Sequence, residues 1–263
     1  MTPDSFSDGG KFLERAKAVE EGRRLAEEGA DILDIGGEST RPGSKAISEE
    51  EEARRVIPVI EELSTKISIP ISIDTRKAWV AKRGLEAGAE MVNDITALKY
   101  DEKMAGLVAR SKVPVVLMHM RGQPETMQAN TEYADLMGEI LEFFRERIAY
   151  AATQGIQREQ IILDPGIGFA KSLEKQHNLI ILKDLQRFKV LNQPLLIGTS
   201  RKAFIGRILG LPPGKREEGT MATVAVAIWN GVSIVRVHEV GRIRRVVQVV
   251  DAILRSASQS PGQ

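Results

Sequence analysis

Short apolar runs alternate with longer amphipathic segments along almost the whole of this chain, and this alternation limits the folds that it can adopt. Seven runs rich in Ile and Val have the length of buried strands, while eight longer segments carry apolar residues at helical spacing. Strands that each lead into a helix build a parallel sheet, because the crossover helix returns the chain to the start of the next strand. The sequence therefore predicts an α/β protein made of repeated strand and helix units.

The count of these units predicts a (β/α)8 barrel of the TIM type whose first strand is missing from this chain. The predicted strands are residues 31–36, 70–74, 91–94, 114–119, 161–164, 195–198 and 234–236. The predicted helices are residues 10–28, 48–66, 77–87, 102–111, 132–153, 174–188, 217–230 and 241–254. The opening residues 1–10 have turn composition and lead directly into the first helix, where a barrel would have a strand.

Nothing in the composition marks a domain boundary, so we expect one domain over residues 1–263 with a frayed tail at residues 256–263. The missing strand suggests that Met1 corresponds to an internal valine read as a start codon. The natural chain would then carry roughly 15 to 20 further residues, enough for one strand and its lead-in.

Composition also excludes several classes of function. The chain has 37 Lys and Arg against 36 Asp and Glu, and a net charge of +1 provides no long-range field for nucleic acid or an anionic membrane. No apolar run approaches the roughly 20 residues of a membrane span, and no basic and apolar leader precedes Phe6, so we expect a cytoplasmic protein. The absence of Cys excludes disulfides, thiolate nucleophiles and cysteine-bound metals.

Polar residues follow the predicted strands at the place where each strand ends. Four of them come from four different strands: Asp74, Asn93, Asp164 and Lys202. A lone Asp after a strand is usually a turn or capping residue, but four such groups would meet at the carboxyl face of a barrel. Carboxylates and an amide pair with the donor-rich edge of a heterocycle, and a lysine donates to a ring oxygen or nitrogen. The set predicts a pocket for a flat nitrogenous ring of the pterin or purine kind.

A second group of strand-end residues suits a phosphate. Arg236 and His238 lie two positions apart and so share one face of their strand, and Arg41 follows the first predicted strand. Met118 is expected to line the ring pocket, whereas its neighbour His119 is not expected to act in catalysis.

Three further residues are not expected to belong to the site. Trp79 and Trp229 fall on predicted helices, where we expect them to pack in the core. His177 also lies on a predicted helix, where we expect it to be solvated.

Seven motifs in this order resemble those of the dihydropteroate synthase family over nearly the whole chain. They are TPDSFSDGG from Thr2, DIGGESTRPG from Asp34, SIDTRK from Ser72, VNDI from Val92, LDPGIGF from Leu163, GTSRK from Gly198 and RVHEV from Arg236. The resemblance implies a barrel, usually homodimeric, that uses Mg²⁺ and is a target of sulfonamides. It also implies the reaction of 6-hydroxymethyl-7,8-dihydropterin pyrophosphate with p-aminobenzoate, which gives 7,8-dihydropteroate and pyrophosphate in folate biosynthesis.

The resemblance implies roles for individual residues. Those that match the pterin site are Asp74, Asn93, Met118, Asp164 and Lys202. Those that match the pyrophosphate site are Thr40, Arg41, Arg236 and His238. Those that match the p-aminobenzoate site are Phe6, Pro42, Ser200 and Arg201. The residues expected to act in catalysis are Asp8, Lys202, Arg236 and His238, with Asp8 stabilising the cation left on the pterin methylene group.

This chain departs from the family pattern at its start, where family members carry a strand that ends in an asparagine which helps to bind the metal. The usual asparagine ligand would lie in the missing strand, which leaves Asp8 as the candidate for Mg²⁺. Two alternative functions remain open. One is an inactive pterin-binding paralogue that serves as a scaffold, as the missing strand would favour. The other is the pterin-binding barrel of a corrinoid-dependent methyltransferase, which would share the pterin residues but lacks the TPDSFSDGG and ESTRPG loops and the SRK motif.

Overall fold

The computed structural model describes residues 11–40 and 44–256, and helices alternate with strands throughout those ranges. The strands are β1 (Leu33–Gly36), β2 (Ile71–Asp74), β3 (Met91–Asp94), β4 (Val115–Met118), β5 (Ile161–Asp164), β6 (Leu196–Ile197) and β7 (Ile234–Val235). The α-helices are α1 (Lys11–Glu27), α2 (Glu49–Ser64), α3 (Ala78–Glu86), α4 (Glu102–Ser111), α5 (Leu136–Thr153), α6 (His177–Lys183), α7 (Ala203–Leu209), α8 (Glu217–Trp229) and α9 (Val240–Arg255).

The strands pair in parallel and in the order of the chain, which is the arrangement of a barrel wall. β1 to β5 form one run of neighbours, and β6 pairs with β7. A single bridge between Leu163 and Leu195 connects the two groups. Within the described residues β1 and β7 stand at the two ends of this series and do not pair with each other. Consecutive order without a reversal distinguishes this wall from a doubly wound sheet.

Three helical segments differ from the sequence prediction. The helix predicted over residues 174–188 is divided into α6 and a 3₁₀ helix, Leu185–Leu191. α7 was not predicted, because its seven residues are too few to show a helical period and glycine at 206 interrupts them. α5 begins later than predicted because Asp135 caps it by accepting from the Gly138 backbone N–H at 3.0 Å.

The buried apolar residues form three clusters, one of which joins α8 to α9 while the other two cover the two faces of the strands. The larger core lies between the strands and the surrounding helices, where residues such as Ile73 and Leu117 meet the helical side chains. The smaller cluster lies inside the wall and comprises Met91, Val116, Ile162 and Leu196, with Ile32 and Ile234 packed against it. Because strand side chains alternate between the two faces, the residue two positions further along each strand points into the same interior.

Four of the residues in those positions are ones that the sequence singled out: Asn93, Met118, Asp164 and Arg236. Two positions beyond the inner apolar cluster stand Asp34, Asn93, Met118, Asp164, Gly198 and Arg236. The period of two thus places an apolar floor beneath a polar ring at the carboxyl ends of the strands.

Three expectations about individual residues are wrong. Trp79 and Trp229 are 39% and 56% exposed rather than packed in the core, because each lies on the outward face of its helix. His177 is buried rather than solvated: its Nδ1 accepts from the Ser172 backbone N–H at 3.2 Å, and its ring packs edge-on against Tyr133.

None of the helices in the described part of the chain is long and apolar enough to cross a membrane.

Candidate active site

Arg236 joins the end of β7 to the ends of β1 and β2. Its Nε donates to Asp34 Oδ2 at 2.6 Å, and its Nη2 donates to Asp74 Oδ2 at 3.1 Å. From β3, the amide nitrogen of Asn93 donates to the same oxygen of Asp34 at 3.0 Å. Side chains from four strand ends therefore form one hydrogen-bonded group above the apolar floor.

The two aspartates of this group differ in their affinity for a proton. Burial, followed by the neighbouring charge of Asp34, raises the pKa of Asp74 to about 7. Burial acts in the same direction on Asp34, but the adjacent Arg236 outweighs it and lowers the pKa of Asp34. The Arg236 side chain is itself 44% exposed, so it can turn toward a ligand that enters from solvent.

Asp164 and Lys202 form the opposite side of the ring. Asp164 Oδ1 accepts from the Gly166 backbone N–H at 2.8 Å, and burial raises the pKa of this carboxyl to about 6. Burial and then the charge of Arg236 lower the pKa of Lys202 to about 8. The Lys202 ammonium lies 4.5 Å from the centre of the Phe169 ring, which gives it a cation–π partner. Met118, which is buried, completes this side with an apolar surface.

His238 and Ser200 connect the segment after β6 to the segment after β7. The Nδ1 atom of His238 lies 2.8 Å from Ser200 Oγ. Partial burial and then the charge of Arg236 lower the pKa of His238. The imidazole is therefore neutral near pH 7 and would serve a phosphate as a hydrogen-bond donor rather than as a cation.

The Arg201 side chain is bound to two carboxylates. Its Nε donates to Glu217 at 2.8 Å and its Nη2 donates to Glu239 at 2.5 Å. Its backbone has a left-handed conformation, with φ of 57°, and its N–H donates to Thr220 Oγ1 at 3.2 Å. Contact between Arg201 and p-aminobenzoate thus remains a prediction that would require the guanidinium to leave one of its carboxylates.

Five predicted site residues remain, of which one lies within the described residues. Thr40 is part of the described chain and is half-buried. Four others lie outside the described residues: Phe6, Asp8, Arg41 and Pro42.

A buried ionic cluster beside the ring was missed by the sequence analysis. Arg76 Nη2 donates to Glu38 at 2.7 Å, and Lys77 Nζ donates to Glu52 at 2.6 Å. Lys77 also forms a short ion pair with Glu38 and donates to the Ile47 carbonyl at 2.8 Å. All four side chains are at most 8% exposed. The cluster links the end of β2 to both ends of the segment between β1 and α2.

The described residues do not by themselves form a metal site. They contain no group of three or more His, Cys, Asp or Glu that could hold a metal ion. Among the buried atoms without a hydrogen-bond partner is Asp34 Oδ1, which could accept a hydrogen bond from a ligand or coordinate a cation.

Residues 1–238 match the family of pterin binding enzymes. The chain belongs to this family. It is 48% identical to the dihydropteroate synthase of Synechocystis sp. over 97% of this chain and 88% of the relative. It is 47% identical to the dihydropteroate synthase of Bacillus subtilis over 100% of this chain and 89% of the relative.

Solved structures of the family share the same fold. The dihydropteroate synthase of Clostridium difficile, solved in the presence of pteroic acid, has a TM-score of 0.91 at 44% identity, with 97% of this chain and 94% of that chain covered. The enzyme of Xanthomonas albilineans in complex with 7,8-dihydropteroate has a TM-score of 0.87 at 41% identity, with coverages of 97% and 91%. The predicted TIM-type barrel is thus confirmed as the fold class.

The sequence analysis missed two residues of the site, although a signal was present for one of them. Asp34 is a charged residue inside a buried apolar strand and lies two positions after Ile32, on the interior face. Phe169 ends the LDPGIGF motif, but nothing in its spacing indicates that it would lie beneath a lysine more than thirty residues away.

Proposed function

We propose that this chain is a dihydropteroate synthase. It condenses 6-hydroxymethyl-7,8-dihydropterin pyrophosphate with p-aminobenzoate and forms 7,8-dihydropteroate and pyrophosphate, a step of folate biosynthesis. The observation that carries the proposal is the ring of Asp74, Asn93, Asp164 and Lys202 above the apolar floor of the barrel, in a chain of the pterin-binding family.

The pterin heterocycle suits these polar side chains at the strand ends in shape and in hydrogen bonding. The carboxylates of Asp74 and Asp164 can accept from the amino group and ring N–H of the heterocycle, while Lys202 can donate to its carbonyl oxygen. Met118 and the Phe169 ring offer flat apolar contact to the two-ring system. Asn93, already bonded to Asp34, would present its amide oxygen to the ligand.

The pyrophosphate is proposed to lie at the exposed side of the ring. Arg236 would exchange its bonds to the two aspartates for a bidentate contact with phosphate oxygens. His238 would donate one hydrogen bond from Nε2, since Ser200 holds its Nδ1. Thr40 and Arg41, from the segment after β1, are proposed to complete this site.

The reaction follows from this placement of charge. The bond between the pterin methylene carbon and the pyrophosphate oxygen breaks, and its electron pair leaves with the pyrophosphate, where Arg236 stabilises the added charge. The ring nitrogens share the positive charge left on the carbon, and we propose that Asp8 stabilises it further. The neutral amine of p-aminobenzoate then forms the new carbon–nitrogen bond and loses a proton. No protein nucleophile takes part, in agreement with a chain without Cys.

The p-aminobenzoate is proposed to bind beside the methylene carbon, against Phe6, Pro42, Ser200 and Arg201. Ser200 is the best placed of these, because its hydroxyl already contacts the proposed pyrophosphate residue His238.

Mg²⁺ is part of the proposal as the resemblance implies it, with its ligands unassigned. When bound, it would neutralise charge on the pyrophosphate. The described residues alone do not build a site for it, and Asp8 is the candidate ligand that the resemblance leaves. A cytoplasmic location belongs to the same proposal, since a pyrophosphate ester does not cross membranes unaided.

Turnover by the purified protein tests the function. We expect pyrophosphate release that requires p-aminobenzoate, with 7,8-dihydropteroate identified by mass spectrometry. The Asp164→Asn variant should lose most of this activity, whereas the matched Asp251→Asn variant, in α9, should keep it. Pterin binding without condensation would favour the inactive paralogue, and methyl transfer to a corrinoid in place of condensation would favour the methyltransferase.

A further inference from the structure

Lys171 is a fully buried lysine that the proposed mechanism does not use. Lys171 is 1% exposed, and among the described residues its amine contacts two backbone carbonyls and a histidine rather than a carboxylate. A buried ammonium is costly unless its donors are all satisfied. Here they are: Nζ donates to the Phe169 carbonyl at 2.9 Å and to the Gly166 carbonyl at 3.2 Å, and lies 3.0 Å from His119 Nδ1.

The third partner can accept because its ring is neutral. Burial and then the charge of Lys171 lower the pKa of His119 well below its usual value. With the proton on Nε2, the lone pair of Nδ1 is free to accept from the amine. Burial likewise lowers the pKa of Lys171 to about 7, so Lys171 and His119 do not both carry a positive charge near neutral pH.

These contacts fix the segment between β5 and α6, residues 165–176, against the end of β4. The His119 backbone N–H donates to the Asp164 carbonyl at 2.8 Å, which continues the pairing of β4 with β5. Gly166 has a φ of 71°, and a Cβ at that position would collide with the His119 carbonyl oxygen. The chain therefore passes too close to His119 for any side chain, and the amine of Lys171 closes the turn from the other side.

The two carbonyls that Lys171 binds belong to residues that touch the proposed pterin site. The N–H of Gly166 holds the carboxylate of Asp164, and the ring of Phe169 lies beneath the ammonium of Lys202. Lys171 itself contacts neither Asp164 nor Lys202 directly.

We propose that Lys171 is a positioning residue of this site: its buried amine, together with His119, holds the segment after β5 so that Asp164 and Phe169 face the heterocycle. The inference rests on the proposed function only for the identity of that heterocycle. Lys171 acts through the Gly166 and Phe169 backbones, so its removal should weaken the site without removing any group that touches the ligand.

The test compares Lys171→Met with Lys183→Met, which changes an exposed lysine of α6 in the same way. Methionine keeps the length and apolar character of the side chain but donates nothing. We expect Lys171→Met to weaken binding of the pterin pyrophosphate by about 10- to 100-fold, as for other residues that orient a primary contact. The KM for p-aminobenzoate at saturating pterin should change by less than about twofold, and Lys183→Met should resemble the parent protein in both respects.

A double-mutant cycle separates positioning from general stability. If Lys171 acts through Asp164, then Lys171→Met should cost less affinity in an Asp164→Asn background than in the parent protein. Equal losses in the two backgrounds, or equal losses for both substrates, would assign Lys171 to the stability of the fold alone and overturn the proposal.

A second variant covers the case in which Lys171→Met does not fold. His119→Leu removes only one acceptor and should produce a smaller loss of pterin affinity in the same direction. Unchanged affinity in folded His119→Leu would overturn the proposal.

Failure of the proposed function is distinguishable from failure of this inference. If the parent protein neither binds the pterin nor turns over, the function is wrong, whereas a fully active Lys171→Met variant contradicts only the role of Lys171.

Discussion

The ionisation of Asp34 and Asp74 is set by their places around Arg236. Asp34 receives the shorter bond from the guanidinium, at 2.6 Å, and a second bond from Asn93, so it keeps its charge. Asp74, at 3.1 Å, has the charge of Asp34 beside it, and its pKa is raised to about 7. Asp34 is thus the counter-ion of Arg236 when no phosphate is bound, and Asp74 is the carboxyl that a ring donor can recruit.

The raised pKa of Asp164 predicts that pterin binding depends on pH. A ring N–H donates to the ionised carboxylate, so the contribution of Asp164 to the affinity should be full above its pKa of about 6 and fall as the pH drops through that value. Once the carboxyl is protonated, the pterin affinity should fall by about tenfold for each further pH unit.

Titration with a hydroxymethylpterin that lacks the pyrophosphate measures this dependence, because that ligand carries no phosphate group that would itself titrate near pH 6. Asp164→Asn is the control and should retain only the part of the dependence due to Asp74. An affinity that is constant over this range would show that neither carboxyl titrates in the way that its burial indicates.

The buried ionic cluster joins helices and strands that are distant in the sequence. Lys77 follows β2 and binds Glu38 and the Ile47 carbonyl, which lie near the two ends of the segment between β1 and α2. The same ammonium binds Glu52 on α2, while Arg76 reaches Gln123, beyond β4, at 2.8 Å. The cluster therefore fixes Glu38, which lies two residues before Thr40, relative to the strand that carries Asp74.

Removal of one member of this cluster should be costly. Lys77→Met leaves Glu38 and Glu52 buried without their common partner, and the expected loss in free energy of unfolding is about 3–5 kcal/mol. Chemical denaturation measures it, with Lys82→Met as the control, since that lysine is exposed and its loss should change stability by less than about 0.5 kcal/mol. Adding Glu52→Gln should restore part of the loss. If Lys77→Met is as stable as Lys82→Met, the cluster does not support the fold.

The bounds of a helix or strand could be predicted where residues within or next to that element determine them. β3, β5 and α4 have the predicted bounds, because runs of Ile and Val define the strands and the Asp101 side chain caps α4. The strand-end residues of the site followed from the period of two. The ionic cluster could not be predicted, because its partners are 25 to 39 residues apart and only the fold brings them together. The exposure of Trp229 was missed because an apolar helix does not reveal which of its faces is outward.

The molecule as a whole presents an apolar surface on its last helices. Exposed apolar residues lie on α7, α8 and α9: Ile208, Leu209, Val226, Trp229, Val249, Ile253 and Leu254. So many large apolar side chains on adjacent helices are unusual for a monomer. A second copy of this chain, as the resemblance implies, would cover them around a two-fold axis.

We expect a homodimer that a charge in this surface disrupts. Val249→Glu should shift the protein to the monomer in size-exclusion chromatography with light scattering, because a carboxylate would be buried in the interface without a partner. Val190→Glu, which alters an exposed valine of the 3₁₀ segment, is the matched control and should remain dimeric. A parent protein that is monomeric at all concentrations would show that this surface has another role.

Calorimetric titration with 6-hydroxymethyl-7,8-dihydropterin pyrophosphate tests the central claim that the polar ring at the strand ends holds the pterin. The parent protein should bind one ligand per chain. Lys202→Ala and Asp164→Asn should each bind it at least about tenfold more weakly while their thermal unfolding stays cooperative, since each loses a charge-assisted hydrogen bond worth about 1.5–3 kcal/mol. Parent-like affinity in both folded variants would contradict the account and place the pterin elsewhere in the barrel.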